Sequence, residues 1–197
     1  TSSAETLKIG FVTDWEYGTK KEYDHKLPKS AKKYLKTAVN HYNNVFRPDL
    51  VVGGGDYILS RGVSKKKAAK QLRHINSIFR RASAPRRYCI GNHDLSDMSE
   101  ATVEQNLGID SAHSSTDLNG VRVITLDTNE PNPRQKGGYG MTGLVSDEEL
   151  AWLDEKLNTN LPVIVFSHHS PVTTLDGNAV RINIYSADHV RAVLEKY

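Results

Sequence analysis

The sequence has almost no cysteine and no long hydrophobic run, and both features restrict what the chain can be. Cys89 is the single cysteine, which excludes an intramolecular disulfide framework and any CxxC metal or redox site. A bound metal would therefore need oxygen and imidazole ligands. No segment approaches the roughly 18 apolar residues of a membrane span, and the first residues lack the charged and apolar regions of a signal peptide. We expect no membrane partner and favour a cytoplasmic location, with secretion after removal of a signal peptide left open.

An excess of one charge sign is also missing. Lys and Arg number 26 against 23 Asp and Glu, which gives a formal net charge of +3. These charges are scattered, and no basic stripe with interleaved aromatic residues is present, so nucleic acid is not an expected partner. The 197 residues, with 38% hydrophobic and 25% charged side chains, are typical of a globular protein and suffice for one core. The sequence does not indicate an oligomeric state.

The sequence does contain a recurring order of short apolar runs, polar clusters and helical patterns. Five runs predict strands, the last of them buried on both faces: 7–13, 50–52, 87–90, 121–126 and 163–166. Four patterns predict helices: 30–45, 64–81, 146–157 and 187–197. Ser64 fits a helix N-cap, Ser146 and Glu149 fit a capping box, and Tyr34 falls on the apolar stripe of the first helix. The alternation predicts a layered α/β fold in which helices cover a central sheet.

Four of the five predicted strands run directly into a polar cluster, and such sheets bind ligands where loops leave the carboxyl ends of strands. The clusters are Asp14-Trp15-Glu16, Gly53-Gly54-Gly55-Asp56, Gly91-Asn92-His93-Asp94 and Ser167-His168-His169. Their carboxylate, carboxamide and imidazole groups can surround cations of borderline hardness such as Mn, Fe or Zn. A carboxylate that bridges two such ions holds them about 3.5–4 Å apart, which suits phosphoryl oxygens. The stretches 94–119 and 128–144 are expected to be long loops at the rim of this site.

The order DxE, GGD, GNHD and SHH resembles the calcineurin-like metallophosphoesterase superfamily, whose pattern is DxH, GD, GNH[DE], H and a terminal GHxH. The segments GGYG, LVSDEELAWLDEKL and VIVFSHHSP are similar to the branch with purple acid phosphatases and manganese-dependent ADP-ribose/CDP-alcohol diphosphatases. The resemblance implies a layered α/β/β/α sandwich with two divalent metal ions, Mn, Fe, Zn or Mg, of which Mn is favoured. It also implies a small phosphorylated substrate, either a phosphomonoester or a nucleoside-diphosphate derivative, hydrolysed by a metal-activated water.

The resemblance also implies a role for each matching residue. Asp14 would bind the first metal, Asp56 would bridge both metals, and Asn92 and His168 would bind the second. His93 would donate a proton to the leaving group or stabilise transition-state charge.

Five further residues are candidates beside these. Asp94 would orient His93 through the other ring nitrogen. Glu16 stands where the family usually has histidine, and it is either a carboxylate ligand that favours Mn or Mg, or no ligand at all. His169 is expected to contact the substrate or to support its neighbour rather than to bind metal. Tyr57 and Tyr139 are candidates to stack on a base or polyol of the substrate.

The terminal GHxH motif is absent from the sequence, and the helical pattern 187–197 resembles the element that precedes it. We therefore expect residues 1–197 to form a single metallophosphoesterase domain that is incomplete at its C-terminus. The alternative is a complete chain with a weakened metal site. The matching functional alternative is a non-catalytic binding or scaffold protein that keeps the fold with a degraded site.

Overall fold

The computed structural model describes residues 6–19, 26–59, 61–131, 142–172, 174–175, 178–179 and 183–197. The chain divides into two compact units, Thr1–Ala112 and His113–Tyr197. Across the described ranges, helices are too short or too polar to cross a membrane. That residues 1–197 form one domain stays a prediction.

A three-stranded parallel sheet forms the centre of the first unit. It contains β1 (Ile9–Val12), β2 (Leu50–Gly53) and β3 (Arg86–Tyr88), in the order β1-β2-β3. The register pairs Val12 with Gly53 and Gly53 with Tyr88, so the carboxyl ends of all three strands lie side by side. The central strand β2 is wholly buried. This arrangement brings the polar clusters that follow the three strands to one edge of the sheet.

Three helices accompany this sheet, and two of them follow the predicted patterns. The first, α1 (Ala31–His41), continues as a π-helical turn over Tyr42–Phe46 and ends at Arg47, whose φ of 48° is left-handed. The residue before a proline is disfavoured in the helical region, which explains the stop before Pro48. Tyr34 is 59% exposed, so its predicted place on the buried stripe of α1 is wrong. It lies beside the stripe, which consists of Ala31, Leu35 and Val39.

The second helix, α2 (Lys65–Phe79), begins as predicted, because the Ser64 hydroxyl accepts a hydrogen bond from Lys67 N. Its buried stripe contains Ala68, Leu72, Ile75 and Phe79, all 0% exposed. The third helix, α3 (Glu100–Leu107), was not predicted, and it packs against α2. The prediction of a long loop over 94–119 is therefore wrong.

The second unit has a mixed sheet in the order β4-β5-β6. The strands β4 (Ser114–Leu118) and β5 (Val121–Leu126) form an antiparallel hairpin, and β6 (Val163–Ser167) pairs with β5 in parallel. Two helices, α4 (Asp147–Leu157) and α5 (Ala187–Leu194), pack on one face of this sheet around a core that includes Ile124, Leu153 and Val190. A two-stranded ribbon, β7 (Thr174–Leu175) and β8 (Asn178–Ala179), lies between β6 and α5 in the chain.

Two predictions about this unit need correction. The strand β6 is not buried on both faces, since Val163 and Val165 pack against the core while Ile164 is 40% exposed. Side chains alternate across a strand, and in the described part of the chain β6 pairs with β5 alone. The Ser146 hydroxyl caps α4 by accepting from Glu149 N at 3.1 Å, but the Glu149 carboxylate binds other groups and does not complete a capping box. The α/β fold class itself is confirmed.

Candidate metal centre

The polar clusters after β1 and β2 remain hydrogen-bonded to each other beyond the strands. Asp14 N donates to Gly55 O at 3.0 Å, and Glu16 N donates to Asp56 O at 2.8 Å. The two segments therefore leave the sheet side by side, and their carboxylates are held by backbone pairing rather than by flexible loops.

Three carboxylate-bearing residues of these segments have left-handed backbones. The φ angles are 54° at Asp14, 44° at Glu16 and 53° at Asp56. Such a conformation costs a residue other than glycine on the order of 1 kcal/mol or more, so it persists only where the surroundings enforce it. Backbone strain of this kind clusters at functional sites, and here it affects three predicted metal ligands.

Glu16, Asp56 and His93 come together as one cluster, with ligand atoms all within 4.8 Å of one another. His93 Nε2 lies 3.8 Å from Glu16 Oε1 and 4.0 Å from Asp56 Oδ2. Asp56 Oδ1 also accepts a hydrogen bond from His93 N at 2.9 Å, which ties the third cluster to the second. Two carboxylates and an imidazole fit a divalent cation of borderline hardness, so this donor set can hold a metal.

Position 91, the first of GNHD, lies so close to Asp56 that only glycine fits there. A Cβ atom at position 91 would lie 2.2 Å from both Asp56 N and Asp56 Oδ1. Any side chain here would displace the carboxylate, so the glycine permits the approach of the two clusters.

Asp94 holds the same region together from inside. It is 0% exposed, and its carboxylate accepts from Tyr57 N at 2.8 Å, Ile58 N at 3.2 Å and Gly91 N at 3.0 Å. Burial, with a contribution from the Asp56 carboxylate, raises the pKa of Asp94 well above its usual range. The role of Asp94 that these contacts support is to fix the loops after β2 and β3, and its predicted bond to His93 stays a prediction.

Three other predicted ligands are not members of this cluster. Asp14 is exposed, and its carboxylate accepts from Thr13 Oγ1 at 2.6 Å. Asn92 is half-buried in the turn after β3. His168 belongs to the second unit, where its ring lies 4.9 Å from that of His169. The metal-binding roles of Asp14, Asn92 and His168 stay predictions.

Two residues that were predicted to bind substrate are buried in the structure. Tyr57 is 0% exposed, and its hydroxyl donates to the carbonyls of Gly53 and Cys89, so it cannot stack on a substrate and the prediction is wrong. His169 is 1% exposed, with Nδ1 2.8 Å from Thr128 Oγ1, so its side chain is not open to a substrate in this structure, and its role in supporting His168 stays a prediction. Tyr139 lies outside the described residues.

Lys26 is a residue of this site that the sequence does not reveal. Its ammonium contacts Glu16 Oε1, and its side chain is 36% exposed. Burial raises the pKa of the 6%-exposed Glu16, while the hydrogen bond and charge of Lys26 oppose that shift. Lys26 also lines a cavity of about 590 Å³ that extends from Asp14 and Glu16 along α1. No motif marks Lys26, since it lies 10 residues beyond Glu16 and outside the four polar clusters.

A second group of acidic residues lies at the end of β5, the one predicted strand that was not assigned a polar cluster. Asp127 is 8% exposed, and its main-chain N–H donates to Glu149 Oε1 at 3.0 Å. Glu149 Oε2 lies 2.5 Å from His113 Nδ1, and the His113 ring stacks on Trp152 at 4.0 Å. Burial is the main cause that raises the pKa of Asp127 to about 6, and the Glu149 carboxylate adds to it.

Comparison with known proteins agrees with this fold and gives the family of the chain. The chain matches a dimetal phosphatase from Danio rerio with a TM-score of 0.78 and 17% sequence identity, over 97% of this chain and 78% of that one. This likeness shows a shared fold. The model of the calcineurin-like phosphoesterase family matches residues 7–195, and the chain belongs to that family. No curated protein gives a significant match.

Proposed function

We propose that this chain is a metal-dependent phosphoesterase that hydrolyses a small phosphomonoester or a nucleoside-diphosphate derivative. The observation that carries the proposal is the Glu16, Asp56 and His93 cluster at the carboxyl ends of the parallel strands, in a chain of the calcineurin-like phosphoesterase family. The dimetal phosphatase of similar fold supports two divalent ions, for which we favour manganese.

Glu16 and Asp56 would hold a metal together with Asp14, and Asn92 and His168 are the ligands proposed for a second ion. When bound, divalent ions of this kind lower the pKa of a coordinated water toward about 7 and neutralise phosphoryl oxygens. The Glu16 and Asp56 side chains are only 8% and 6% exposed, so these carboxylates face inward.

His93 is the residue that we propose as proton donor to the leaving group. Its side chain is 23% exposed, which leaves the imidazole more open to a substrate than either carboxylate. Asp56 fixes the main chain of His93 through the 2.9 Å hydrogen bond, so the imidazole is held beside the carboxylates. A proton donor needs this combination of reach and fixed position.

Hydrolysis of 4-nitrophenyl phosphate, bis(4-nitrophenyl) phosphate and thymidine 5′-(4-nitrophenyl phosphate) with added Mn²⁺ tests this function. We expect release of nitrophenol that Asp56→Asn and His93→Ala abolish, whereas the exposed control Asp110→Asn keeps it. The three substrates separate phosphomonoesters from diesters. Unchanged turnover in Asp56→Asn and His93→Ala would contradict the assignment.

Calorimetry with Mn²⁺ separates the two roles open to His93. If His93 is the proton donor, His93→Ala lowers kcat and keeps the metal affinity. A loss of Mn²⁺ binding in His93→Ala would instead make it a ligand. Absence of Mn²⁺ binding by the unmodified protein would favour the non-catalytic alternative.

A further inference from the structure

We propose that Lys26 is a built-in counter-cation of Glu16 that a divalent metal must displace, so that Lys26 sets the metal affinity of the site. The inference rests on the proposed function, because it concerns the same metal centre. It adds Lys26 as a positioning residue that competes with the metal for a carboxylate oxygen of Glu16.

The contact geometry puts the ammonium and a metal in competition for one atom. Lys26 Nζ contacts Glu16 Oε1, and this same oxygen lies 3.8 Å from His93 Nε2 as part of the candidate ligand set. A charge-assisted hydrogen bond to this oxygen takes up acceptor capacity that a metal would need.

The charges around Glu16 also support this role of Lys26. Among the residues that the structure describes, the charged groups that act on the Glu16 carboxylate are the Lys26 ammonium, the Asp56 carboxylate and the His93 imidazole. Because Glu16 is buried, the repulsion between Glu16 and Asp56 is weakly screened by solvent. Lys26 relieves this repulsion in the absence of a metal, and its removal leaves two facing carboxylates that attract a divalent cation more strongly.

The surroundings of Lys26 allow the ammonium to leave without unfolding. Its side chain is 36% exposed and lines the cavity of about 590 Å³ beside Glu16. A lysine has a flexible four-carbon stem, so a change of rotamer can move the charge from the carboxylate into this space. Displacement is therefore a local step, and the energy of the Lys26–Glu16 contact is subtracted from the metal affinity.

Titration calorimetry with MnCl₂ on chelator-treated protein tests this inference. We expect Lys26→Met to bind Mn²⁺ roughly tenfold more tightly than the unmodified chain, about 1.4 kcal/mol. Lys26→Arg keeps the charge and should restore the original affinity within about threefold. Lys29→Met, which removes an exposed charge three residues away, should leave the affinity unchanged.

The same titration in a Glu16→Gln background shows whether Lys26 acts through Glu16. In this background the gain in affinity from Lys26→Met should vanish. If neither Glu16→Gln nor Glu16→Gln with Lys26→Met binds Mn²⁺, the inference is also supported, because Glu16 is then an essential ligand. An unchanged or weaker affinity in a folded Lys26→Met protein overturns it, as does an equal gain in Lys29→Met or a gain that persists with Glu16→Gln. Absence of Mn²⁺ binding in every variant, Lys26→Met included, overturns the proposed function itself.

Discussion

Asp127→Asn should stabilise the protein, and more so as the pH rises. Asp127 follows β5 with a pKa of about 6 instead of 3.8, mainly because it is buried, with the Glu149 carboxylate adding to the shift. Its Oδ1 accepts a hydrogen bond from Asn129 N at 3.0 Å. An asparagine at position 127 keeps this acceptor oxygen and cannot ionise, so the substitution removes the buried charge and little else.

The magnitude follows from the linkage between ionisation and folding. Because the pKa of Asp127 is about 6 in the folded protein and 3.8 in the unfolded chain, its ionisation lowers the free energy of unfolding by about 3 kcal/mol at neutral pH and above. Because the folded-state pKa is the higher one, the stability contributed by the protonated Asp127 carboxyl is fully present below a pH of about 3.8. This contribution is lost as the pH rises through about 6. About 1 kcal/mol is lost at pH 4.5 and about 3 kcal/mol at pH 8. The gain from Asp127→Asn should therefore grow by about 2 kcal/mol between these two pH values.

Urea unfolding at pH 4.5 and pH 8, in EDTA and followed by tryptophan fluorescence, measures this difference. Trp152 contributes to the signal from the same unit as Asp127. Asp117→Asn is a matched control of opposite sign, because Arg122 holds the pKa of the exposed Asp117 carboxyl below its usual value. That control should lose rather than gain stability toward high pH. Equal effects of Asp127→Asn at the two pH values would refute the reasoning.

Three further substitutions probe the site and its supports. Gly91→Ala should abolish phosphoesterase activity, measured with nitrophenyl phosphates, because its Cβ would lie 2.2 Å from Asp56 Oδ1; retained turnover would contradict this. Tyr57→Phe should lower the free energy of unfolding by about 1–3 kcal/mol without changing KM, since the buried hydroxyl serves two backbone carbonyls. Ser146→Ala should cost about 1 kcal/mol in urea unfolding, because Glu149 N loses its cap; an unchanged midpoint would show that the cap is dispensable.

Elements with strong periodicity were predictable from the sequence. The helix α2 has a capping serine and a stripe of four fully buried residues, so pattern and structure agree to within two residues at each end. The helix α3 was missed because its buried side chains are only Val103 and Leu107, too few to reveal a period. Its left-handed Gly108 after the last turn is a C-terminal signal that was available.

The hairpin of β4 and β5 was missed for a different reason. Asn119 and Gly120 have φ angles of 49° and 75°, and Asn-Gly between strands is the strongest short-range hairpin signal. Four of the five residues of β4, SSTDL, are polar, and all five are at least partly exposed, so apolar periodicity gave no reason to look for a strand before that turn. Turn chemistry would have identified this strand where hydrophobicity did not.

Side-chain burial at the candidate site depends on contacts that no local pattern encodes. Tyr57 follows Asp56 directly and would be accessible if the loop were extended, but the left-handed turn at Asp56 leads its ring into a cluster with Trp15 and Tyr88. The motif order correctly indicated which polar residues follow the strands. It could not indicate that Lys26 reaches Glu16, because the two residues are 10 positions apart and no local pattern relates them.

The left-handed residues determine where the carboxylates of the motifs point. In an extended strand, Asp14 and Glu16 would point to the same face with their neighbours turned away. With φ of 54° at Asp14 and 44° at Glu16, the backbone turns sharply at both residues. The hydrogen bond from Glu16 N to Asp56 O joins this segment to the one after β2, which turns in the same way at Asp56, where φ is 53°. Each turn is unfavourable alone. The turns at Asp14 and Glu16 are held by hydrogen bonds to the segment after β2, and the Asp94 carboxylate in turn holds that segment through Tyr57 N. The carboxylates are thus positioned at a cost in backbone energy, so relaxing Asp94 should disperse the cluster before it unfolds the sheet.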